Sequence, residues 1–158
     1  MGRIARELAK RAHALGMNII YTDILGKAAE LSDYEFGTQD DVLAKADFIS
    51  IHIPKPSDRD YVLGAEEIAT MKDGVYLINT ARGGLIEHEA LIKALDEGKV
   101  AGAALDVFPT EPVPADQDAI VKHPKVSVTP HIGASTGEAQ TRIGEEVVSI
   151  IVDFFDGK

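Results

Sequence analysis

The sequence predicts an α/β fold built on a doubly wound parallel sheet, and three observations support this class. Segments with the spacing of helices alternate with apolar segments of strand length along the whole 158-residue chain. The strand segments are apolar at nearly every position, as in parallel strands that are covered on both faces. Polar and titratable residues follow the predicted strands, at the edge where open α/β sheets bind their ligands.

Five helices and five strands account for most of the chain. In order, the predicted elements are a helix over 3–15, a strand over 17–23, a helix over 38–46, a strand over 48–53, a helix over 65–71, a strand over 75–80, a helix over 87–97, a strand over 101–108, a strand over 126–129 and a helix over 135–155. The length and the 45% apolar content suit one domain with one core.

Each helix is assigned from the spacing of its apolar residues and from the residues at its ends. In the first helix, Ile4, Leu8 and Leu15 lie on one face. The predicted helix ends are Gly16 and Gly98, and the predicted capping boxes are Thr38 with Asp41 and Ser135 with Glu138.

The strands are assigned from continuous apolar runs. The strand over 17–23 ends on Asp23, and the strand over 48–53 is halted by Pro54. The stretch from Pro109 to Lys125 carries four prolines and is predicted to be irregular. A loop of that length in a compact domain is more often functional than idle.

Charge and composition exclude several classes of function. Lys and Arg number 16 against 26 Asp and Glu, and the net charge of -10 repels nucleic-acid phosphates and anionic membranes. The apolar runs are too short to span a membrane, and the first residues lack the pattern of a signal peptide. Without cysteine there is no disulfide or thiolate metal site, and no histidine pattern indicates a metal. We expect a cytoplasmic protein that binds no metal, nucleic acid or membrane.

The turn Gly2-Arg3-Ile4-Ala5 and the acid at Asp23 match part of a dinucleotide-binding fingerprint. Gly2 fits the glycine that lets a pyrophosphate approach a helix N-terminus, and Ala5 fits the position where helix meets strand. Asp23, about 20 residues on, would bind a ribose hydroxyl and favour NAD over NADP. The first glycine of the fingerprint and its strand are missing, and an ordinary helix start explains the turn equally well.

Two further strand ends carry residues suited to carboxylate binding and proton transfer. Arg82, which precedes two glycines, is suited to clamp a carboxylate or keto oxygen, with a surface salt bridge as the alternative. His131 follows the last strand and is suited to shuttle a proton near neutral pH. Glu111 stands 20 residues before it. Spacing alone does not bring these two side chains together, and by itself favours local backbone contacts for His131. Capping explains Ser135 better than a role as a nucleophile.

Five segments resemble, in order and spacing, the D-isomer-specific 2-hydroxyacid dehydrogenases, whose cofactor domain has a Rossmann-type fold. These segments are 2–5, 21–23, 79–84, 103–112 and 129–136. Within the family, residues 131–136 and the following Glu138-Ala139-Gln140 are most similar to the members that oxidise D-3-phosphoglycerate, and glyoxylate or hydroxypyruvate reductases come next. One departure is Lys55-Pro56, where the family usually has Leu-Thr, which puts the contacts of this loop in doubt.

The resemblance implies a role for each residue of the site. Arg82 would bind the carboxylate and carbonyl of the substrate, His131 would be the general acid and base, and Glu111 would be its partner. Asp106 would hold the nicotinamide carboxamide, and Asp23 the adenosine ribose. The remaining residues implied to line the NAD site are Gly2, Arg3, Ile4, His52, Ile53, Pro54, Thr80, Ala81, Gly133 and Ala134.

The implied activity is hydride transfer between NAD and a D-2-hydroxy acid, with oxidation of D-3-phosphoglycerate in serine biosynthesis as the first candidate. The alternatives are a glyoxylate or hydroxypyruvate reductase and a non-catalytic NAD(H)-sensing module similar to the C-terminal-binding-protein corepressors. The family's sheet runs 3-2-1-4-5-6, and its first strand and the substrate-binding domain are absent. We expect residues 1–158 to be a partial NAD-binding domain, inactive alone and dimeric, whose gap is filled by the missing first strand.

Overall fold

Residues 1–115 and 119–157 are described by a computed structural model of the chain. They form six strands and six α-helices. The strands are β1 (Ile20–Tyr21), β2 (Glu35–Phe36), β3 (Phe48–Ile51), β4 (Val75–Asn79), β5 (Val100–Leu105) and β6 (Val126–Val128). The helices are α1 (Arg3–Ala14), α2 (Gln39–Lys45), α3 (Ala65–Thr70), α4 (His88–Asp96), α5 (Ala119–Lys122) and α6 (Gly137–Phe155), and a 3-10 turn covers Ala29–Leu31.

The strands divide into two sheets in which every pairing is parallel. β1 pairs with β2, and the second sheet has the order β3-β4-β5-β6. In the second sheet Ile51 lies opposite Asn79, and Asn79 lies opposite Leu105, so the carboxyl ends of the strands share one edge. Within the described residues no pairing joins the two sheets. The predicted class, a parallel α/β sheet of the Rossmann type, is confirmed.

Helices α2, α3 and α4 pack in sequence on one another, and their buried side chains share one core with the four-stranded sheet. Leu77 and Val100 of the strands point into this core and are fully buried, as are Leu91 and Leu95 of α4. Each such side chain stabilises the fold by about 1.5–3 kcal/mol on burial. This core fixes β4 and β5, and the candidate site is built from the loops that follow β4, β5 and β6.

The opposite face of the sheet is exposed. Phe48 and Tyr76 stack there with ring centroids 5.1 Å apart and an interplanar angle of 14°, and both are half-exposed. Helix α6 likewise buries none of its side chains and exposes apolar residues along its length, including Ile143, Val147 and Phe155. None of the described helices is long and apolar enough to cross a membrane.

All ten predicted elements are present with ends shifted by a few residues, and three details were wrong. The strand β2 was missed because only two residues, one of them charged, form it. The stretch from Pro109 to Lys125 is not wholly irregular, since it contains α5, while its residues 116–118 lie outside the described residues. The predicted capping box at Thr38 is confirmed, but α6 is capped by Thr136, which accepts from the Ala139 N–H, and not by Ser135.

Candidate active site

Three loops meet at the carboxyl edge of the four-stranded sheet. They follow β4, β5 and β6 and span residues 79–84, 105–111 and 129–133. The Asp106 N–H donates to the Asn79 carbonyl at 3.0 Å, and the Thr129 N–H donates to the Leu105 carbonyl at 3.0 Å. These bonds extend the strand pairing into the loops. They fix the positions of the loops relative to one another along the strand direction, because each loop begins where its strand is still hydrogen-bonded.

His131 and Glu111 form an imidazole–carboxylate pair. His131 Nδ1 lies 2.7 Å from Glu111 Oε2, and the side chains remain partly exposed. The other carboxylate oxygen, Oε1, accepts from the Phe108 N–H at 2.9 Å. That backbone hydrogen bond and the one to His131 hold the pKa of Glu111 below its ordinary value. The ionised carboxylate fixes one ring nitrogen of His131 and leaves Nε2 available for a proton.

His131 has an uncommon backbone conformation. Its φ is 55°, the only positive φ of a non-glycine residue in the described chain. A residue with a side chain holds this left-handed conformation at a cost of order 1–3 kcal/mol and keeps it only where its surroundings impose it.

Asp106 lies beneath the loop that carries His131 and is only 4% exposed. Its Oδ1 accepts from the Thr129 hydroxyl and from the Ile132 N–H, and its Oδ2 accepts from the Gly133 N–H at 2.9 Å. Burial raises the pKa of Asp106, but the hydrogen bonds from Thr129, Ile132 and Gly133 outweigh it and leave the pKa below its ordinary value. The carboxylate therefore stays ionised and anchors the loop.

Asn79 shapes the loop that carries Arg82. This buried side chain accepts from the Ala81 N–H at 3.1 Å and donates to the Arg82 carbonyl at 2.9 Å. The Arg82 guanidinium is exposed and donates to the Ala81 carbonyl at 2.6 Å. Among the described residues no hydrogen bond joins it to Glu111 or His131. The exposed guanidinium lies at the carboxyl edge of the sheet, where it can bind a carboxylate.

Gly83 joins the Arg82 loop to the Glu111 loop by direct backbone contact. A Cβ at Gly83 would lie 1.9 Å from the Phe108 carbonyl oxygen and 2.7 Å from the Pro109 nitrogen. Only glycine permits this approach, because any side chain would occupy space that backbone atoms already fill.

The start of α1 is a second candidate binding feature. The helix has no side-chain cap, and a Cβ at Gly2 would meet nothing within 4 Å. Asp23, just after β1, lies beside this turn, with Oδ2 2.5 Å from the Met1 nitrogen and Oδ1 2.8 Å from the Leu25 nitrogen. The uncapped N–H groups suit a phosphate, and the neighbouring carboxylate suits ribose hydroxyls. The residues present thus fit the adenosine and diphosphate parts of a dinucleotide.

The other predicted cofactor residues lie at the ends of β3, β4 and β6. His52 is half-buried, its Nε2 lies 2.9 Å from the Ser50 hydroxyl, and burial lowers its pKa. The remaining predicted residues are exposed or half-buried on the loops, namely Ile53, Pro54, Thr80, Ala81, Gly133 and Ala134. Arg3 and Ile4 begin α1 and are exposed. Among the described residues no group of three or more acidic or histidine side chains is placed to hold a metal.

Sequence reasoning missed three residues that shape the site. Asn79 lies in the segment 79–84, and the signal that could have identified it is an amide at the end of a buried strand. Gly83 was predicted only as one of the two glycines after Arg82, and its contact with Phe108 depends on the packing of two distant loops. Thr129 carried no signal, because a hydroxyl at a strand end is common in any parallel sheet.

A parallel α/β domain with an open helix start beside an acid, and with an imidazole–carboxylate pair at the carboxyl edge of its four-stranded sheet, belongs to the class of nicotinamide-dinucleotide-binding domains of dehydrogenases. More particularly, the chain belongs to the D-isomer specific 2-hydroxyacid dehydrogenases, since residues 1–133 match the NAD binding domain of that family. The predicted family is confirmed.

Two curated relatives illustrate the similarity. The chain is 44% identical over 159 aligned residues to the D-3-phosphoglycerate dehydrogenase of Bacillus subtilis (strain 168), covering 99% of this chain and 30% of that protein. It is 45% identical over 152 residues to the hydroxypyruvate reductase of Thermotoga maritima, covering 95% of this chain and 49% of that protein. The chain therefore spans between 30% and 49% of the length of these relatives.

Solved structures show the same fold. A glyoxylate reductase from Paecilomyes thermophila superimposes with a TM-score of 0.88 at 39% identity, covering 97% of this chain and 46% of that one. A D-lactate dehydrogenase from Aquifex aeolicus, complexed with NAD and lactic acid, gives a TM-score of 0.84 at 33% identity, covering 99% of this chain and 51% of that one.

Proposed function

We propose that this chain is the cofactor-binding part of an NAD-dependent oxidoreductase that acts on D-2-hydroxy acids, with D-3-phosphoglycerate as the first candidate substrate. The observation that carries the proposal is the contact of 2.7 Å between His131 Nδ1 and Glu111 Oε2, on the edge of the sheet that also carries Arg82. This arrangement supplies a proton acceptor and a fixed cation, the two groups that oxidation of a hydroxy acid requires from the protein.

NAD is proposed to extend from the start of α1 to the end of β6. The open turn at Gly2 and the N–H groups of Arg3 and Ile4 would take its diphosphate, and Asp23 would take the adenosine ribose. His52, Ile53, Pro54, Thr80, Ala81, Gly133 and Ala134 would line the cleft. Asp106 Oδ2 accepts one hydrogen bond and keeps capacity for the nicotinamide carboxamide.

When bound, NAD supplies the acceptor for the hydride that leaves C2 of the substrate. His131 Nε2 takes the hydroxyl proton as the C–O bond becomes a carbonyl, and Glu111 stabilises the resulting imidazolium. Arg82 pairs with the substrate carboxylate and with the developing carbonyl oxygen. In the reverse direction the same imidazolium returns the proton to the oxygen.

The substrate is proposed from the relatives. They include a D-3-phosphoglycerate dehydrogenase and a hydroxypyruvate reductase at nearly equal identity. Reduction of hydroxypyruvate or glyoxylate is therefore the second candidate, favoured by the 45% identical relative and by the structural similarity to a glyoxylate reductase. A non-catalytic NAD(H)-sensing module would need neither the His131–Glu111 pair nor Arg82, and their presence favours an enzyme.

The test uses the natural protein and two histidine variants. His131→Ala is compared with His13→Ala, a matched control on the exposed face of α1. We expect His131→Ala to lower the turnover of D-3-phosphoglycerate by about 100-fold or more, while NADH fluorescence titration gives an unchanged Kd. His13→Ala should match the wild type. Equal turnover in both variants would refute the role of His131, and turnover of hydroxypyruvate alone would select the second candidate.

The proposal extends to the surroundings of the chain. Among the described residues, β1 and β3 each have one edge that pairs with no other strand, which supports insertion of a further strand of the same protein between them. A separate substrate-binding domain, a homodimer and a cytoplasmic location complete the proposal, supported by the family and by the share of the relatives that the chain spans. Sedimentation of the natural protein tests the dimer, and a monomeric mass at micromolar concentration would contradict it.

A further inference from the structure

The loop that carries His131 is held by a buried carboxylate through both of its oxygens. Asp106 Oδ1 accepts from the Thr129 hydroxyl and from the Ile132 N–H, and Oδ2 accepts from the Gly133 N–H. A carboxylate oxygen has two lone pairs, so Oδ1 is saturated by these two donors. Thr129 is the only side chain among the three, and it stands two residues before His131.

The donors lie on both sides of His131. Thr129 precedes it and is itself tied to β5 by the bond from its N–H to the Leu105 carbonyl at 3.0 Å. Ile132 and Gly133 follow it, both bonded to Asp106. His131 therefore lies between two anchored segments, Thr129 on one side and Ile132 with Gly133 on the other. Its φ of 55° lets the backbone turn between them. A conformation of this kind persists only when its neighbours determine it from both sides.

We propose that Thr129 is a positioning residue, which acts through Asp106 to hold His131 in the left-handed conformation that places its imidazole against Glu111. The inference rests on the proposed function for its kinetic consequence, but not for its geometric one. Thr129 touches neither Glu111 nor the His131 ring through any hydrogen bond of the described structure, so its effect is indirect.

The chemistry of the contact explains why a hydroxyl is needed. With Oδ1 bonded to Ile132 alone, the buried carboxylate is under-satisfied and turns toward other donors. The Ile132 and Gly133 N–H groups then follow it or lose their partner, and the backbone at His131 is free to return to an ordinary φ. The ring would leave Glu111 and lose the fixed orientation of Nε2. Serine preserves the donor, whereas valine preserves the shape and removes it.

The experiment compares Thr129→Val with Thr129→Ser in the natural protein, with Thr70→Val as the matched control. Thr70 ends α3, and its hydroxyl donates to the Glu67 carbonyl at 2.8 Å. Crystal structures of the variants report the φ of His131, and the pH dependence of kcat reports the imidazole–carboxylate pair. Thr129→Ala serves as a second variant without bulk if the valine variant fails to fold.

We expect Thr129→Val to bring the φ of His131 to a negative value and to lower kcat by about tenfold or more, with a shifted pH profile. Thr129→Ser and Thr70→Val should keep the wild-type φ and profile. A positive φ and a wild-type pH profile in Thr129→Val, or in Thr129→Ala, would overturn the inference. If the wild type turns over no D-2-hydroxy acid, the proposed function fails, while the φ of His131 still decides the role of Thr129.

Discussion

Gly83 offers the sharpest perturbation of the candidate site, because it is the point where the Arg82 loop touches the Glu111 loop. In Gly83→Ala the new Cβ would lie 1.9 Å from the Phe108 carbonyl oxygen, 2.1 Å from the carbonyl carbon and 2.7 Å from the Pro109 nitrogen. Ordinary contacts begin at 3.4 Å. The two backbones must therefore separate by about 1.5 Å, since no side-chain rotation relieves a clash with backbone atoms.

The separation has two measurable consequences. Overpacking of this kind lowers the free energy of unfolding by about 1–3 kcal/mol, or more where the backbone is rigid. For a domain of this size, each kcal/mol corresponds to a fall in Tm of about 2–4 °C. Arg82 also moves away from the His131–Glu111 pair, and a misplacement of about 1 Å lowers kcat/KM by on the order of 100-fold.

The assay measures urea unfolding and NAD-dependent oxidation of D-3-phosphoglycerate in the natural protein. Gly144→Ala is the matched control, because its Cβ meets nothing within 4 Å inside α6. That control should keep full activity and gain about 0.5–1 kcal/mol from reduced backbone freedom. If Gly83→Ala matches Gly144→Ala in both measurements, the contact with Phe108 does not set the geometry of the site, and the reasoning fails.

Three further predictions follow from other residues. Asp23→Asn should weaken the preference for NAD over NADP, because the repulsion of a 2′-phosphate is lost; an unchanged ratio of the two kcat/KM values removes Asp23 from the ribose site. Burial lowers the pKa of His88, so the unfolded state takes up a proton near its ordinary value of 6.5 while the folded state does not. The free energy of unfolding therefore falls as the pH drops through that range. His88→Gln should make the free energy of unfolding, measured with urea, depend less on pH between about 7 and about 5. A dependence as steep as that of the wild type would contradict the burial of His88. Leu91→Ala should lower the free energy of unfolding by about 2–5 kcal/mol, since Leu91 is fully buried in the core; a loss below about 1 kcal/mol would show that the layer of α4 can collapse around the cavity.

The layers of the fold were predictable because they depend on local pattern. The apolar runs of β3, β4 and β5 reflect burial, and the capping box of Thr38 with Asp41 begins α2 as expected. β2 was missed because Glu35 and Phe36 carry no run of their own and pair only through the tertiary position of β1. The start of α6 was misplaced by a residue, since Ser135 and Thr136 both carry hydroxyls and only the backbone decides between them.

The sequence allowed us to predict which residues lie on the edge of the candidate site, but not the contacts between them. The rule that ligands meet the carboxyl ends of parallel strands placed Arg82, Asp106 and His131 on one edge. The contact of His131 with Glu111, which are 20 residues apart, was not visible from spacing. It depends on the loop conformation that Asp106 and Thr129 impose, and such long-range hydrogen bonds leave no periodic signal in a sequence.

The unpaired edge of β3 has a consequence for the behaviour of this chain in solution. Its four residues, Phe48-Ile49-Ser50-Ile51, are uncharged and rich in β-branched and aromatic side chains, and Phe48 is half-exposed. A strand of this composition with a free row of backbone donors and acceptors is a template on which another chain can add. When the edge is uncovered, newly made copies compete to pair with each other, so the yield of folded protein depends on concentration. Covering that edge therefore prevents self-association of the chain in addition to completing its sheet.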